Sequence, residues 1–408
     1  MKIDLLHYSA PPIVGGVESV IGHQARLMAD AGHQVRILAG RGSQTDAKIP
    51  FVQLPLVDSK NPQVQAVKQT LDRGIVPPEF SLLTDDIYKL LRVTLKDTQV
   101  LIAHNVCSLH KNLPLTAAIR LIAASLQALR LILWHHDLAW TSSRYVSELH
   151  TGFPWDLLRT DWTQAQHVVV SELRQKELSG LTDIPIQQIK VIPNGIDIEE
   201  FLGLQAETWS IIERLNLLDA APLLLLPVRI TQRKNIELAL RTLKKLSEYL
   251  PKSKLVVTGP LGPHNPANIN YYESLVKLRR ELNLESSAHF LAEIEAGYLP
   301  DAVIAQLYRL GDALFLPSRE EGFGIPVLEA GLAGIPIFCS SIPPLQTLAG
   351  AFATYFDPDI EPGELARMIG DRLHENPVAQ LRIRLRQSYS WSQIYHQHIE
   401  PIVLGQEA

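Results

Sequence analysis

Short apolar runs of strand length alternate along this chain with longer stretches of helical period. The alternation predicts doubly wound parallel sheets with helices on both faces, an α/β fold. A first series of predicted strands covers residues 3–6, 35–38, 100–103, 131–134 and 168–170. A second series covers residues 223–228, 255–258, 288–291, 313–316 and 336–339.

The amphipathic stretches between these runs predict the helices. They cover residues 17–30, 115–129, 235–249, 272–283, 299–310 and 326–333. Residues 42–96 are polar and proline-bearing and give no clear pattern, and residues 264–268 are interpreted as a loop. Because 408 residues are too many for one ordinary core, we predict two Rossmann-like halves joined near Val191.

Composition excludes several classes of protein. A net charge of −5 argues against general nucleic-acid binding. No apolar run is long enough to cross a bilayer, and Asp4 interrupts any signal-peptide core. Two cysteines, Cys107 and Cys339, form neither a disulfide framework nor a metal-ligand pattern. We expect a cytoplasmic protein, and attachment to the inner face of the membrane stays open although no basic amphipathic helix is evident.

Two carboxylates, Glu321 and Glu329, frame the segment Glu-Gly-Phe-Gly-Ile-Pro-Val-Leu-Glu. The segment follows a predicted strand, and Pro326 suits the first position of a helix. Ligands bind at the carboxyl ends of strands in such sheets, and Gly322 and Gly324 would let backbone N–H groups approach one closely. The alternative is a solvated loop acid and a helix-surface acid.

Two further strand-to-helix loops could bind anions. Arg229 and Lys234 flank the loop after the first strand of the second half, where both could converge on one diphosphate. Basic residues at a helix start are otherwise disfavoured by the helix dipole. Gly15 and Gly16 precede the first predicted helix and could present backbone donors, although a plain tight turn explains them equally. The dinucleotide fingerprint Gly-x-Gly-x-x-Gly is absent.

His135, His136 and Asp137 come directly after a first-half strand. A histidine there could donate to a sugar hydroxyl or respond to a developing charge. A metal site is the rival interpretation, but no third well-spaced ligand follows, so a metal-free polar cluster is favoured. Asp137 could equally cap the following turn.

Together these residues resemble glycosyltransferase family 4, the retaining GT-B enzymes that use nucleotide-diphosphate sugars. The resemblance covers nearly the whole chain and implies two Rossmann-like domains facing across a cleft. An acceptor domain would comprise residues 1–190 with a C-terminal crossover at 387–408, and a donor domain residues 191–386. The matching pieces, in the family's order, are residues 15–16, 136–137, 191–197, 229–235, 258–259, 321–336 and 389–392.

Carried over by position, the resemblance implies a role for each residue. Arg229 and Lys234 would bind the donor diphosphate, and Glu329 would bind the ribose hydroxyls. Glu321 and His136 would contact the transferred sugar, His136 near the reacting carbon. Further donor contacts would come from Gly15 and Gly16 at the diphosphate, the backbone of Phe323, Gly324 and Ile325 beside the sugar, and the backbone near Glu293 at the base. The usual Leu-Gly pair is replaced by Leu-Ala-Glu at residues 291–293, which leaves base recognition open.

The resemblance also implies the chemistry and the partners. Transfer would retain the anomeric configuration by same-face attack, with the leaving phosphate taking the acceptor proton and with no metal or cofactor. A UDP-hexose such as UDP-glucose is favoured over GDP-mannose on family prevalence. The acceptor hydroxyl, on a glycan, a lipid-linked or a small molecule, would meet variable first-half loops, in polysaccharide or glycoconjugate synthesis. Trp140, Tyr145 and Trp155 could stack on a carbohydrate there, although ordinary packing is commoner. Residues 357–359, Asp-Pro-Asp, are interpreted as a loop rather than a metal site.

Four alternatives differ in their chemistry. A sugar-phosphate phosphorylase or a nucleotide-sugar epimerase could use the same architecture, and an epimerase needs no acceptor. A non-catalytic nucleotide-sugar-binding subunit would bind without turnover, although Arg229, Lys234, Glu321 and Glu329 argue against it. An NAD oxidoreductase is disfavoured by the missing glycine fingerprint.

Overall fold

A computed structural model describes residues 1–260, 266–294 and 298–406. The chain forms two compact units, Met1–Gly195 together with the segment from Trp391 onward, and Ile196–Ser390. The observed limits lie a few residues after the predicted ones at 190 and 387. Gly195 belongs with the first unit because a Cβ atom there would lie 2.7 Å from the indole of Trp391.

The first unit is built on a parallel sheet in the order β3-β2-β1-β4-β5-β6-β7. Its elements are β1 (Lys2–Ser9), α1 (Gly16–Asp30), β2 (Gln34–Arg41), β3 (Phe51–Gln53), α2 (Pro62–Leu71), α3 (Glu79–Thr94), β4 (Val100–His104), α4 (Leu113–Ser125), β5 (Arg130–His135), β6 (Ala165–Val169), α5 (Glu172–Thr182) and β7 (Ile189–Val191). Successive side chains of β1 alternate between two cores, with Ile3 and Leu5 on one face and Leu6 and Tyr8 on the other.

The second unit is built on another parallel sheet, in the order β10-β9-β8-β11-β12-β13. Its elements are α6 (Ile198–Leu202), α7 (Ala206–Arg214), β8 (Leu223–Leu226), α8 (Ile236–Ser247), β9 (Lys254–Val257), α9 (Pro266–Glu281), β10 (Ala288–Phe290), α10 (Asp301–Leu310), β11 (Ala313–Leu316), α11 (Ile325–Ala333), β12 (Ile337–Ser340), α12 (Pro343–Ala349), β13 (Thr354–Phe356), α13 (Pro362–Glu375) and α14 (Pro377–Ser388). One continuous apolar core fills both faces of this sheet.

The C-terminal segment packs on the first unit, as the resemblance implied. It comprises α15 (Trp391–Ile394), a π-helical turn (Tyr395–Ile399) and α16 (Glu400–Leu404). Ile399 and Val403 are fully buried in the same core as Ile3 and Leu5. The Trp391 ring stacks on His23 of α1 with ring centroids 5.4 Å apart.

The predicted strands are confirmed, with ends that shift by up to three residues. Strands β3, β7 and β13 and helices α2, α3, α5, α6, α7, α12, α13 and α14 were not predicted. The predicted loop at 264–268 is wrong in part: 264 and 265 lie outside the described residues, and 266–268 begin α9, where Pro266 takes the first helical position. Asp357 and Asp359 do lie in a turn, as predicted. No helix within the described ranges is both long enough and apolar enough to cross a bilayer.

Candidate functional site

The order of strands reverses once in each sheet. In the second unit β8 has β9 on one side and β11 on the other. Ligands of open α/β sheets bind in the crevice at such a point, outside the carboxyl ends of the two strands. The loops that leave β8 and β11 there carry Lys234 and Glu321.

Lys234 and Glu321 join these two loops. The Nζ atom of Lys234 lies 2.5 Å from Oε1 of Glu321, and the two side chains are 9% and 7% exposed. Ser318, fully buried two residues after β11, donates its hydroxyl to the same oxygen over 2.7 Å. Asn235 turns the chain into α8 in the left-handed conformation, with φ at 53°, and donates Nδ2–H to the carbonyl of Pro358.

The charges of this cluster are partly desolvated. Burial lowers the pKa of Lys234, and the hydrogen bond from its ammonium to Glu321 opposes that shift. One ammonium proton is used by Glu321, which leaves two donors on Nζ. No described residue donates to Oε2 of Glu321. The cluster can therefore bind an anion at Lys234 and accept a hydroxyl proton at Glu321.

Helix α11 begins beside this cluster. Gly324 caps it with φ at 101°, a left-handed conformation that favours glycine, and a Cβ atom there would lie 2.5 Å from Leu345. Phe323 and Ile325 are 57% and 59% exposed on either side. Because the first N–H groups of a helix lack intrahelical partners, this end offers donors to a ligand oxygen.

Glu329 lies one turn further along α11 and is half-buried. Burial raises the pKa of Tyr308, and the nearby Glu329 carboxylate raises it further. The tyrosine hydroxyl itself donates to the carbonyl of Pro326 over 3.3 Å. Glu329 and Glu321 thus sit on one helix and the loop that leads into it.

Two predicted residues stand apart from the Lys234–Glu321 cluster. Arg229 is exposed, and its guanidinium lies 5.7 Å from the ring centre of Tyr298. Glu293 follows β10, two strands away from β8. Its carboxylate accepts hydrogen bonds from Arg279 at 2.7 Å and from Tyr272 at 3.1 Å.

The first sheet reverses its order between β1 and β4. Gly15 caps α1 with extended backbone, and Gly16 opens the helix. The carboxylate of Glu18, in the first turn of α1, lies beside Gly15 and accepts the Ser9 hydroxyl over 2.6 Å. The Glu18 carboxylate therefore lies close to the position where the sequence suggested that Gly15 and Gly16 could bind an anion.

His136 belongs to a buried cluster at the same edge. Its Nε2 lies 3.2 Å from Nδ1 of His104, and its backbone N–H donates to Oδ1 of Asn105 over 2.7 Å. Burial lowers the pKa of His136 to about 3, with His7 adding to the effect. His136 is therefore neutral near pH 7. His135 points elsewhere, stacked on His167 with ring centroids 5.3 Å apart.

The aromatic residues near this edge pack rather than form a stacking platform. Trp155 is 3% exposed within the core, and the Trp140 indole donates to its carbonyl. The suggestion that Trp155 stacks on a carbohydrate is therefore wrong, because its ring is inaccessible. Trp140 is covered by the Arg159 guanidinium at 4.2 Å from the ring centre.

One group of metal-type ligands occurs among the described residues, Asp72, His110 and Glu148. The ammonium of Lys68 lies 2.7 Å from Asp72 and 2.8 Å from Glu148. His110 contacts the same Glu148 carboxylate at 2.6 Å. A lysine thus already supplies a positive charge to this group, which is consistent with a structural ion-pair network.

Sequence reasoning gave Ser318 and Glu18 no role, and it interpreted Asn105, at the end of a strand, as a residue that could line the same cleft as His136 or only form a turn. Ser318 has a local signal, a small polar residue directly after Pro317 at the end of β11. Asn105 also has a local signal, because Asn tolerates the left-handed conformation. Asn105 adopts this conformation at the end of β4, with φ at 58°.

Replacing Ser318 with Ala should lower turnover about tenfold and cost about 1 kcal/mol of stability, since one buried hydrogen bond to a charged group is lost. The Lys234–Glu321 contact remains, so nucleotide binding should change little. Steady-state kinetics and urea unfolding measure both quantities. Ser318→Thr keeps a hydroxyl and should recover part of the turnover. Equal loss in both variants would show that packing, not the hydroxyl, matters.

Acid should destabilise the first unit between about pH 6.5 and pH 4. Burial lowers the pKa of His7 and of His167 to about 4, against about 6.5 in the unfolded chain. Below pH 6.5 these histidines are protonated in the unfolded chain but stay neutral in the folded protein. The free energy of unfolding therefore falls as the pH is lowered toward 4. The loss by pH 5 is about 2 kcal/mol per independent histidine.

Urea unfolding at pH 7 and pH 5 measures this loss. His7→Phe should reduce this loss by about 2 kcal/mol while that of the other buried histidines remains, whereas His374→Ala, at an exposed position, should leave the pH dependence unchanged. Equal stability of the wild-type protein at both pH values would contradict the assignment of neutral buried histidines.

Comparison with known proteins identifies both units. Residues 14–200 match the family model for glycosyltransferase family 4, and residues 207–388 match that for glycosyl transferases group 1. Together the two matches leave only short segments of the chain uncovered.

Individual relatives are distant. An uncharacterised glycosyltransferase of Methanocaldococcus jannaschii is 26% identical over 60% of this chain and 62% of its own. The mannosylglucosylglycerate synthase of Petrotoga mobilis is 26% identical over 67% of this chain and 66% of its own. The matched regions thus span less than two thirds of either relative. A solved glycosyltransferase from Rickettsia africae covers 100% of this chain and 99% of its own at 16% identity and a TM-score of 0.39.

Both family models match consecutive parts of the chain, and the units they cover are two Rossmann-like parallel-sheet domains. The chain belongs to the GT-B glycosyltransferases of the family 4 type.

Proposed function

We propose that the protein transfers a hexosyl group from a nucleotide-diphosphate sugar to an acceptor hydroxyl, with retention of configuration. The observation that carries the proposal is the Lys234–Glu321 contact at the reversal point of the second sheet. A buried ammonium and a carboxylate with one oxygen available are the groups that a sugar diphosphate requires.

In this proposal Lys234 binds the diphosphate. The bond between the sugar carbon and the β-phosphate oxygen breaks, and the electron pair leaves with the phosphate. The fixed cation and the N-terminus of α11 stabilise that charge without reorganising at the moment of reaction. Arg229, which is exposed beside Tyr298, would add a second cation when its side chain turns toward the phosphates.

Glu321 binds the transferred sugar in this scheme. Its Oε1 is held by Lys234 and Ser318, so the carboxylate has one orientation, and Oε2 accepts a sugar hydroxyl. Glu329 accepts the ribose hydroxyls from α11, assisted by the backbone at Phe323, Gly324 and Ile325. The acceptor hydroxyl attacks on the face that the phosphate leaves, and the phosphate takes its proton.

Residues of the first unit complete the assignment by resemblance. His136 is neutral at pH 7 and so can donate to a sugar hydroxyl without adding charge. Gly15 and Gly16 would contact the diphosphate through backbone N–H groups, which requires the Glu18 carboxylate to turn away from Gly15. Glu293 is assigned only through the backbone beside it, because its side chain is paired with Arg279.

We propose a UDP-hexose such as UDP-glucose as donor, with GDP-mannose as the competing choice, and a glycan, lipid-linked or small-molecule acceptor in polysaccharide or glycoconjugate synthesis. We also propose that no metal is needed. Donor hydrolysis and transfer measured with each nucleotide sugar, with and without EDTA, distinguish these choices. Interconversion of the sugar without any acceptor would instead favour an epimerase. Nucleotide binding without turnover across a broad acceptor panel would favour a non-catalytic subunit.

Glu321→Gln tests the division of roles. Turnover should fall about 100-fold, because a carboxylate that binds the sugar in the transition state is lost. The affinity for free UDP should change less than threefold, since the nucleotide does not touch Glu321. Isothermal titration with UDP and initial-rate kinetics measure the two effects. The opposite pattern, weak UDP binding with near-normal turnover, would assign Glu321 to the nucleotide.

A further inference from the structure

Lys111 lies at the point where the first sheet reverses its strand order. It belongs to a single helical turn, His110–Asn112, between β4 and α4. The residue is half-buried, and no described residue forms a hydrogen bond or an ion pair with its ammonium. Its Nζ atom is also not among the unpartnered side-chain atoms that are closed off from solvent. Lys111 therefore offers an accessible cation to a ligand.

The carboxylates near Lys111 have other partners. Burial lowers the pKa of Lys111, and the nearby carboxylates of Asp137 and Glu18 oppose that shift without contacting the ammonium. Glu18 accepts the Ser9 hydroxyl over 2.6 Å, and Asp137 lies 3.7 Å from Arg174. A partly buried ammonium without a direct partner costs free energy, so an anionic group of a ligand would be stabilising beside it.

His7 offers a second polar atom near Lys111. It lies toward the carboxyl end of β1, and its Nδ1 lies 2.7 Å from the carbonyl oxygen of His104. A carbonyl oxygen only accepts, so Nδ1 carries the hydrogen and Nε2 of the neutral ring carries a lone pair. Burial lowers the pKa of His7 to about 4, and the nearby Lys111 ammonium adds to the effect. His7 is therefore neutral near pH 7 and can accept a hydroxyl hydrogen at Nε2.

The Nε2 atom of His7 is accessible, unlike the ring nitrogens of its neighbours. The unpartnered nitrogens of His104, His135 and His167 are closed off from solvent, whereas Nε2 of His7 is not among these atoms. His7 is 6% exposed, and no described residue forms a hydrogen bond to its Nε2. The carboxyl edge of β1 and β4 thus presents a cation and a hydrogen-bond acceptor that are both open to one ligand.

We propose that the acceptor carries an anionic group, a phosphate or a carboxylate, which binds Lys111, and that one of its hydroxyls donates to Nε2 of His7. The inference rests on the proposed function, in which the acceptor binds to the first unit, and it names the class of acceptor. A neutral acceptor would leave the Lys111 ammonium without a partner.

Glucose 6-phosphate, glucuronate and glucose test this inference, because they share one sugar framework and differ in charge. Each is titrated calorimetrically into the protein in the presence of saturating UDP, so that the charged compounds do not bind at Lys234. We expect at least one charged compound to bind about tenfold more tightly than glucose, because it gains a charge-assisted hydrogen bond. The tighter of the two identifies the anionic group as a phosphate or a carboxylate.

Variants of the two residues should have different effects. Lys111→Met keeps an apolar stem but removes the charge, so it should weaken the tighter charged compound about tenfold and leave glucose and UDP unchanged. Lys111→Arg keeps the charge and should retain most of the affinity. His7→Phe removes the hydroxyl contact and should weaken all three compounds by similar factors. Lys89→Met, at an exposed position of α3, is the matched control and should change none of these affinities.

Four results would overturn the inference. They are charged compounds that bind no more tightly than glucose, no binding of either charged compound up to about 10 mM, and unchanged binding of the charged compounds in Lys111→Met. The fourth is weaker UDP binding in Lys111→Met, which would assign this lysine to the donor. Failure of the proposed transfer reaction gives a different result, namely no turnover with any nucleotide sugar, because the titrations measure binding alone.

Discussion

Lys234→Ala should lower turnover at least 100-fold and also destabilise the second unit. In the proposed function, the loss of turnover follows because one fixed cation at the departing diphosphate is removed. The loss of stability follows because Glu321, 7% exposed, keeps its charge and loses its ion-pair partner. Breaking a buried ion pair on one side costs about 3 kcal/mol. Initial-rate kinetics, UDP titration and urea unfolding measure the three effects.

The matched control is Arg241→Ala, which removes an exposed cation from the adjacent helix α8. It should leave turnover and stability unchanged. In Lys234→Ala/Glu321→Gln the orphaned charge is gone, so stability should recover in part while turnover stays low. Normal donor kinetics in folded Lys234→Ala would remove this residue from the site.

The structure changes the expected effect of Lys234→Ala on stability. From sequence, Lys234 appears as a loop cation whose loss would leave the fold intact. In the structure its ammonium is buried against Glu321, a contact between residues 87 positions apart. Stability and, in the proposed function, diphosphate binding would therefore both depend on Lys234, and measurements on the folded fraction separate the two.

The candidate site was predictable where it follows strand ends. The apolar runs that became β8 and β11 each end just before a polar loop, and parallel strands bring those loops to one edge. Lys234 and Glu321 were both found in this way. Which atoms meet was not predictable, because hydrogen bonds such as that of Ser318 to Glu321 depend on side-chain directions that no local pattern encodes.

The missed helices of residues 42–96 had readable signals. Asn61 caps α2 and Pro62 opens it, and α3 buries Phe80, Leu83, Ile87 and Leu91 at helical spacing. The prolines were interpreted as residues that interrupt helices, although Pro62 begins one. The pairing of Glu293 with Arg279 had no such signal, since the two residues lie on different elements.

Arg386→Ala should produce one of the largest stability losses in the second unit, about 4 kcal/mol, without weakening UDP binding to the folded protein. Arg386 on α14 is 4% exposed and forms a two-pronged contact with the fully buried Asp312, at 2.6 and 3.0 Å. It also donates to the carbonyls of Ala220 and Leu310. The substitution leaves Asp312 buried with its charge unpaired.

Arg386→Ala and Lys234→Ala affect opposite ends of the same two strands, β8 and β11. Asp312 precedes β11 and accepts the backbone N–H of Leu223 at the start of β8. By pairing with Asp312, Arg386 therefore stabilises the amino ends of both strands. The loops at the carboxyl ends of the same two strands carry Lys234 and Glu321. Arg384→Ala, at an exposed position of α14, is the control and should cost less than about 0.5 kcal/mol. Urea unfolding and UDP titration on each folded variant test the separation. Weakened UDP affinity in folded Arg386→Ala would contradict this prediction. It would mean that the amino ends of β8 and β11 also affect the nucleotide site, so that ligand binding and packing are not separable along these strands.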